Sequence, residues 1–361
     1  MSLIIGIAGT AKNTGKTTTT SSILDELYNK KILIGLTSIG YDGEETDNIT
    51  GLPKPRLFVK KNTILATAEK CLKAGSADYD ILETTDIMTP LGRICIVRVH
   101  KEGLAVVAGP NKGSQLKYVE NKMINELNCK VVLVDGALNR IAPMIETDGV
   151  IIATGASRNV NIDILVKETK ALHELLNLPE VSKEELQYFT DISKIALIPK
   201  KIHEKTSFLN YGSLIGNDIV KEIIDKIKCA ETVFIPALIS EFALKKLNDG
   251  LGTLWANKTL IIKDPIKLIT GGNPETLINE IKKIKFNGGN VKTLKNLPLL
   301  AITVNPFYPK YRFDIDSYEP GYIDREELVD KMRASVDVPI IDIKHEGSLR
   351  LLKSILNLVQ P

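Results

Sequence analysis

Tryptophan occurs once in the 361 residues, histidine four times and cysteine four times. Cys71, Cys95, Cys129 and Cys229 lie far apart with no Cys-x-x-Cys spacing. That argues against a disulfide framework or a thiolate metal knuckle, and suits buried small hydrophobes in a reduced compartment. His100, His173, His203 and His345 are isolated and share no metal-ligand spacing. No apolar run approaches the roughly 18 residues of a membrane helix. The opening run Leu3-Ile4-Ile5-Gly6-Ile7-Ala8 is too short for a signal peptide and passes straight into a Gly-containing loop. Charge of one sign is scarce too: 47 basic against 44 acidic residues leave a net +3 spread along the chain. A nucleic-acid or membrane-surface partner needs a dense basic face, so neither is expected, and the cytoplasm is the expected compartment. No Gly-x-Ser-x-Gly elbow or Cys/His pairing supports nucleophilic hydrolase chemistry.

What is present is ordinary globular material, 43% apolar and 25% charged. The length exceeds what one hydrophobic core usually supports and points to two domains. Short Val/Ile-rich runs alternate with segments of helical period, the pattern of an α/β fold with a mainly parallel sheet. Strands are expected at 4–8, 32–38, 94–99, 104–108, 131–135 and 150–154, and helices at 16–29, 63–73, 114–127 and 162–176. Residues 93–99 and 104–108 read as an antiparallel hairpin within an insertion, 53–109. The loop Gly9-Thr10-Ala11-Lys12-Asn13-Thr14-Gly15-Lys16-Thr17, between the strand at 4–8 and the helix at 16–29, marks residues 1–180 as an expected P-loop nucleotide-binding domain, followed by a second, smaller α/β domain, 181–361. That second half carries expected strands at 195–198, 232–235, 259–262, 299–304 and 339–343. A helix capped by Asn217 and Asp218 and a final helix at 348–358 complete it. The segment 305–314 holds four of the chain's 18 Phe and Tyr residues and reads as a packed aromatic loop, with a docking or ligand loop as the alternative.

The chemistry concentrates in Gly9, Thr10, Ala11, Lys12, Asn13, Thr14, Gly15, Lys16, Thr17 and Thr18. Glycines let backbone N–H groups converge on phosphate oxygens, a helix N-terminus adds its positive dipole end, and Lys16 neutralises β/γ charge. Thr17 offers a hydroxyl to Mg²⁺, and Asp135, ending the apolar run 131–134, offers the matching carboxylate. A GTPase would be expected to show Asn-Lys-x-Asp after a late strand; Asn257-Lys258-Thr259-Leu260 lacks the Asp, which favours ATP. The turn 154–159 follows the strand after Asp135 and is expected to line the nucleotide site.

Five residues separate Gly9 and Gly15, one more than in the common motif. This longer form resembles the loops of dethiobiotin synthetase and the cobyric-acid-synthase type amidotransferases, relatives of the MinD-like ATPases. The slot of the MinD signature lysine holds Ala11, with Lys12 one place later, which leaves a dimer open. In that group an acid in the loop after the second strand positions the attacking water. The resemblance puts Asp42 first here, as a catalytic residue beside Lys16, with Glu44 and Asp47 behind it.

A wider set of stretches resembles the P-loop subunits of lysine 5,6-aminomutase reactivases. It comprises the Gly9–Thr18 loop, Thr37-Ser38-Ile39-Gly40-Tyr41-Asp42-Gly43-Glu44-Glu45, Leu82-Glu83-Thr84-Thr85, Thr89-Pro90-Leu91-Gly92 and Val134-Asp135-Gly136-Ala137-Leu138-Asn139-Arg140. The resemblance covers mainly residues 4–175. It implies an ATP- and Mg²⁺-dependent factor that restores an adenosylcobalamin-dependent aminomutase, with that enzyme and a second reactivase subunit as partners. An ATP-dependent ligase or carboxylate-activating enzyme, and a nucleotide-gated binding module with little turnover, remain as alternatives.

Overall fold

A computed structural model describes residues 2–40, 57–138, 141–199, 205–314 and 316–356. Two compact units divide the chain: 1–166 with 299–361, and 167–298.

The first unit opens with β1 (Leu3–Gly9), α1 (Lys16–Asn29), β2 (Ile34–Ser38), β3 (Leu57–Val59) and β4 (Ile64–Ala68). There follow β5 (Asp78–Thr89), β6 (Gly92–Lys101), β7 (Gly103–Ala105), α2 (Gly113–Asn121), β8 (Val131–Ala137) and β9 (Gly149–Gly155), and α3 (Ile162–Leu176) begins in the first unit and continues past residue 166 into the second. The second unit carries α4 (Lys183–Phe189), β10 (Ala196–Pro199), β11 (Ser207–Phe208), α5 (Asn217–Lys226), β12 (Ala230–Ile235) and α6 (Glu241–Leu251). It ends with β13 (Thr259–Ile262), α7 (Ile266–Ile269), α8 (Pro274–Phe286) and β14 (Asn290–Thr293). The chain then supplies the first unit again with β15 (Leu299–Asn305), β16 (Phe307–Arg312), β17 (Ser317–Tyr322), α9 (Arg325–Ser335), β18 (Ile340–Ile341), α10 (Ile343–Glu346) and α11 (Leu349–Leu356).

Nine strands of the first unit form one sheet in the order β18-β15-β9-β1-β8-β2-β4-β6-β5. Every pairing from β18 to β4 is parallel, and β6 and β5 add an antiparallel end. The expected mainly parallel α/β fold is what the chain adopts. β1, an interior strand between β9 and β8, is apolar throughout because both faces are covered, and Ile5, Ile7, Leu36, Leu133 and Ile151 have no exposed surface. Ile23, Leu24 and Leu27 of α1 are buried in the same core at helical spacing, together with Leu351 and Ile355 of α11.

Four expectations are corrected by this topology. The stretch 181–361 is not one domain, because β15 pairs with β9 and β18 with β15, placing both in the sheet of the first unit. The described part of the segment 53–109 delivers β4, β5 and β6 to that sheet. The hairpin is β5 with β6, while β7 pairs with β3 instead. Residues 63–73 are no single helix: Ile64-Leu65-Ala66-Thr67-Ala68 is a strand buried along its whole length between β2 and β6, and a 3-10 turn (Glu69–Lys73) follows. The aromatic segment is also no irregular loop, but strand β16 of a two-stranded ribbon with β17.

The second unit has a five-stranded sheet, β11-β10-β12-β13-β14, with β12, β13 and β14 parallel. Val181, Phe189, Ala196, Phe234 and Ile261 form a core cluster there. Trp255, fully buried, donates its indole N–H to Asn248 at 3.0 Å, and Asn248 donates in turn to Glu280 at 2.9 Å. Gly216, rather than Asn217 or Asp218, occupies the cap of α5.

Candidate phosphate site

β1, β8, β9 and β2 run parallel in register, so their carboxyl ends share one edge. Open α/β sheets bind ligands outside that edge. Ile7 lies opposite Asp135, and Gly9 lies between Ala137 and Ala153. The loop between β1 and α1 therefore leaves the sheet beside the end of β8, the strand that carries Asp135. Thr10 pins its first turn through a backbone N–H bond to Ala153 at 2.9 Å and a hydroxyl bond to Thr154 at 2.9 Å. Thr14 closes it by donating to the Ala11 carbonyl at 2.9 Å.

Two residues of the loop are left-handed: Asn13 at φ 62° and Gly15 at φ 90°. Glycine suits that region, and any Cβ at position 15 would be strained. Gly15 is also the cap of α1, so no side chain there accepts the first-turn N–H groups, and no acidic residue sits in that turn. The positive end of the helix is left for an anion.

Lys16 reaches across the mouth of the loop to Asp135, Nζ to Oδ2 at 2.7 Å, with side-chain exposures of 28% and 18%. The other carboxylate oxygen accepts from Thr20 at 3.4 Å, and Thr20 also bonds the Lys16 carbonyl at 3.2 Å. Thr17 and Thr18 stand partly exposed in the first turn, and none of the described residues hydrogen-bonds the Thr17 hydroxyl. Lys12 is exposed. The residues expected to hold phosphate and metal are thus gathered at one place.

The end of β2 lies beside them. Ser38 is opposite Asp135, and the Ile39 N–H donates to the Asp135 carbonyl at 2.7 Å. The Ser38 hydroxyl bonds the Gly40 and Val107 carbonyls, and Gly109 packs so closely on Ser38 that an added Cβ would come 2.0 Å from its carbonyl oxygen. Asp42, Glu44 and Asp47 lie outside the described residues.

Two contributors, Thr20 and Asn305, escaped the sequence reading. Thr20 was one turn of helix beyond the motif. Ser157 belongs to the expected turn, but its partners could not be read from it: its hydroxyl lies 3.4 Å from the Asn13 carbonyl and 3.1 Å from that of Phe307. Asn305, at the end of β15, donates from Nδ2 to the Asn13 carbonyl at 2.9 Å. The only sequence signal for it was an Asn-Pro step closing an apolar run.

No protein family matches the chain, and no curated protein matches it. Among solved structures the chain is similar to a nucleotide-binding protein from Archaeoglobus fulgidus in complex with ADP and Co. That match has 10% identity and a TM-score of 0.25, over 98% of this chain and 84% of that one. It is also similar to pNOB8 ParA bound to nonspecific DNA, with 11% identity and a TM-score of 0.29 over 99% of each chain. At such values the functional reading is carried by the Gly9–Thr17 loop and its neighbours alone. No helix among the described residues is long and apolar enough to cross a membrane.

Proposed function

We propose that the chain binds Mg·ATP at the Gly9–Thr17 loop and hydrolyses it in the service of a partner protein. The observation that carries this reading is the approach of Lys16 to Asp135 within 2.7 Å at the mouth of the loop. A lone Gly-Lys-Thr is a weak signal; a Gly-Lys-Thr whose lysine meets a carboxylate near a strand end, beside an uncapped helix, supports the phosphate reading much more strongly. Lys16 takes the β/γ-phosphate charge, and the N–H groups at the start of α1 take phosphate oxygens. The Thr17 hydroxyl and the Asp135 carboxylate are hard oxygen donors of the kind that hold Mg²⁺ with its water shell. When bound, that ion neutralises charge on the leaving phosphate. Asp42, two residues beyond Gly40 in sequence, is the acid proposed to orient the attacking water.

The finer reading, a factor that restores an adenosylcobalamin-dependent aminomutase together with a second subunit, rests on the resemblance of the motif set in residues 4–175. One assay separates it from its rivals. ADP release from ATP should be slow alone and stimulated by the aminomutase. Release only with a small carboxylate substrate would identify a ligase instead. Binding without turnover under every condition would identify a nucleotide-gated module.

A further inference from the structure

The Asn13 carbonyl is the meeting point of three segments. Asn305 of β15 donates to it at 2.9 Å, and the Ser157 hydroxyl, after β9, lies 3.4 Å away. Asn305 is locked in turn from its other side: its Oδ1 accepts the Phe307 N–H at 3.2 Å, and its backbone carbonyl accepts Ala156 N–H at 3.0 Å. These partners fix the amide's orientation, since a flipped group would set Oδ1 against the Asn13 carbonyl and NH₂ against the Phe307 N–H. The Ser157 hydroxyl has one hydrogen and faces two carbonyl oxygens, those of Asn13 and Phe307, so at any moment it serves the loop or the ribbon.

Phe307 begins the β16–β17 ribbon, whose ladder pairs Phe307 with Tyr322, Pro309 with Pro320 and Tyr311 with Tyr318. Alternation puts these six side chains on one ribbon face. Edge-on ring contacts join Phe307 to Tyr322 at 5.7 Å and Tyr311 to Tyr318 at 5.1 Å. Tyr322 is 66% exposed. An aromatic and proline surface is thus one bridging residue, Asn305 or Ser157, removed from the phosphate loop.

We propose that Asn305 and Ser157 are positioning residues that set the phosphate loop through the Asn13 carbonyl and couple its occupancy to the β16–β17 ribbon. In a trans peptide the C=O and N–H point oppositely. A carbonyl held by Asn305 therefore aims the Thr14 N–H away from Asn305 and limits which way the left-handed turn can rotate. Phosphate entering the loop draws its N–H groups inward and re-aims the Asn13 carbonyl. The Asn305 amide and the shared Ser157 hydrogen carry that change to Phe307. This rests on the nucleotide reading above.

The test combines calorimetry with site-resolved hydrogen exchange on the full chain, using Mg·ATP as the probe. In wild type, ATP should change exchange at the Phe307 amide several-fold. Asn305→Ala should weaken ATP binding about fivefold, as expected for one lost neutral hydrogen bond, and abolish the Phe307 response. Ser157→Ala should blunt the response, and Ser157→Thr, which keeps the hydroxyl, should restore it; this pair decides the matter if Asn305→Ala fails to fold. Wild type that binds no ATP removes the nucleotide reading and the coupling together. Wild type that binds ATP with a Phe307 amide that does not respond, or Ser157→Ala with a full response, overturns the coupling alone.

Discussion

Lys16 Nζ and Asp135 Oδ2 stand 2.7 Å apart, one at the first turn of α1 and the other two residues before the end of β8. In the proposed function each would be the other's partner only until a nucleotide arrives. Phosphate would then compete for the ammonium and Mg²⁺ for the carboxylate, so that binding would exchange one internal ion pair for two charge-assisted contacts.

That exchange separates two terms in Asp135→Asn. The lysine is released from its partner, so ATP without Mg²⁺ should bind at least as tightly as to wild type. The gain in affinity on adding Mg²⁺ should fall by about tenfold or more, as expected for a lost charged contact. Calorimetry with and without Mg²⁺ measures both. An Asp135→Asn protein with the wild-type response to Mg²⁺ would remove the carboxylate from the metal site.

The local parts of this site were legible because they are written in consecutive residues. The helix expected at 16–29 is α1, and the apolar run ending on Asp135 is β8. What sequence could not show is long-range pairing. Nothing local in Leu299–Asn305 says that it lies against β9 rather than in a sheet of its own, and so Asn305 was assigned to a different domain. Residues 64–68 failed for another reason: five small and apolar residues fit a buried strand or a helical turn equally well until their neighbours are known.

Asp42→Asn should retain ATP affinity while losing most turnover, with a saturating partner protein present. A positioned acid or base is worth on the order of 10²–10⁴ in rate. Steady-state ADP release measures it. Full activity in Asp42→Asn, with Glu44→Gln or Asp47→Asn inactive, would move the role along that segment.

Thiol chemistry checks the burial. Burial pushes the Cys129 thiol up to about 12 and raises those of Cys71 and Cys95 as well. Cys229 is exposed. An alkylating reagent near neutral pH should therefore modify Cys229 rapidly and the other three only after denaturation, since the thiolate is the reactive species. Mass mapping of the native protein reads this directly, and rapid native labelling of Cys129 would contradict the core packing.

A pH dependence follows from Asp264, 2% exposed two residues beyond the end of β13. Burial raises its carboxyl above the ordinary value, against the opposing pull of Lys267. A carboxyl raised in the folded state supports folding while protonated and loses that contribution as pH rises through its folded value. Asp264→Asn keeps an acceptor for the Lys267 N–H, bonded at 3.2 Å, without the buried charge. Its stability relative to wild type should therefore increase between about pH 4 and about pH 7. Urea midpoints at the two pH values give the answer; a difference that is constant or shrinks would contradict the assignment.

The central claim is that Lys16 and the loop around it hold the phosphates of ATP. Calorimetric titration of Mg·ATP into wild type and Lys16→Ala tests it most directly. Wild type should bind, and Lys16→Ala should lose about 1.5–3 kcal/mol, a weakening of about tenfold to a hundredfold, with its fold intact by circular dichroism. Equal affinities, or no binding by wild type, would contradict the account.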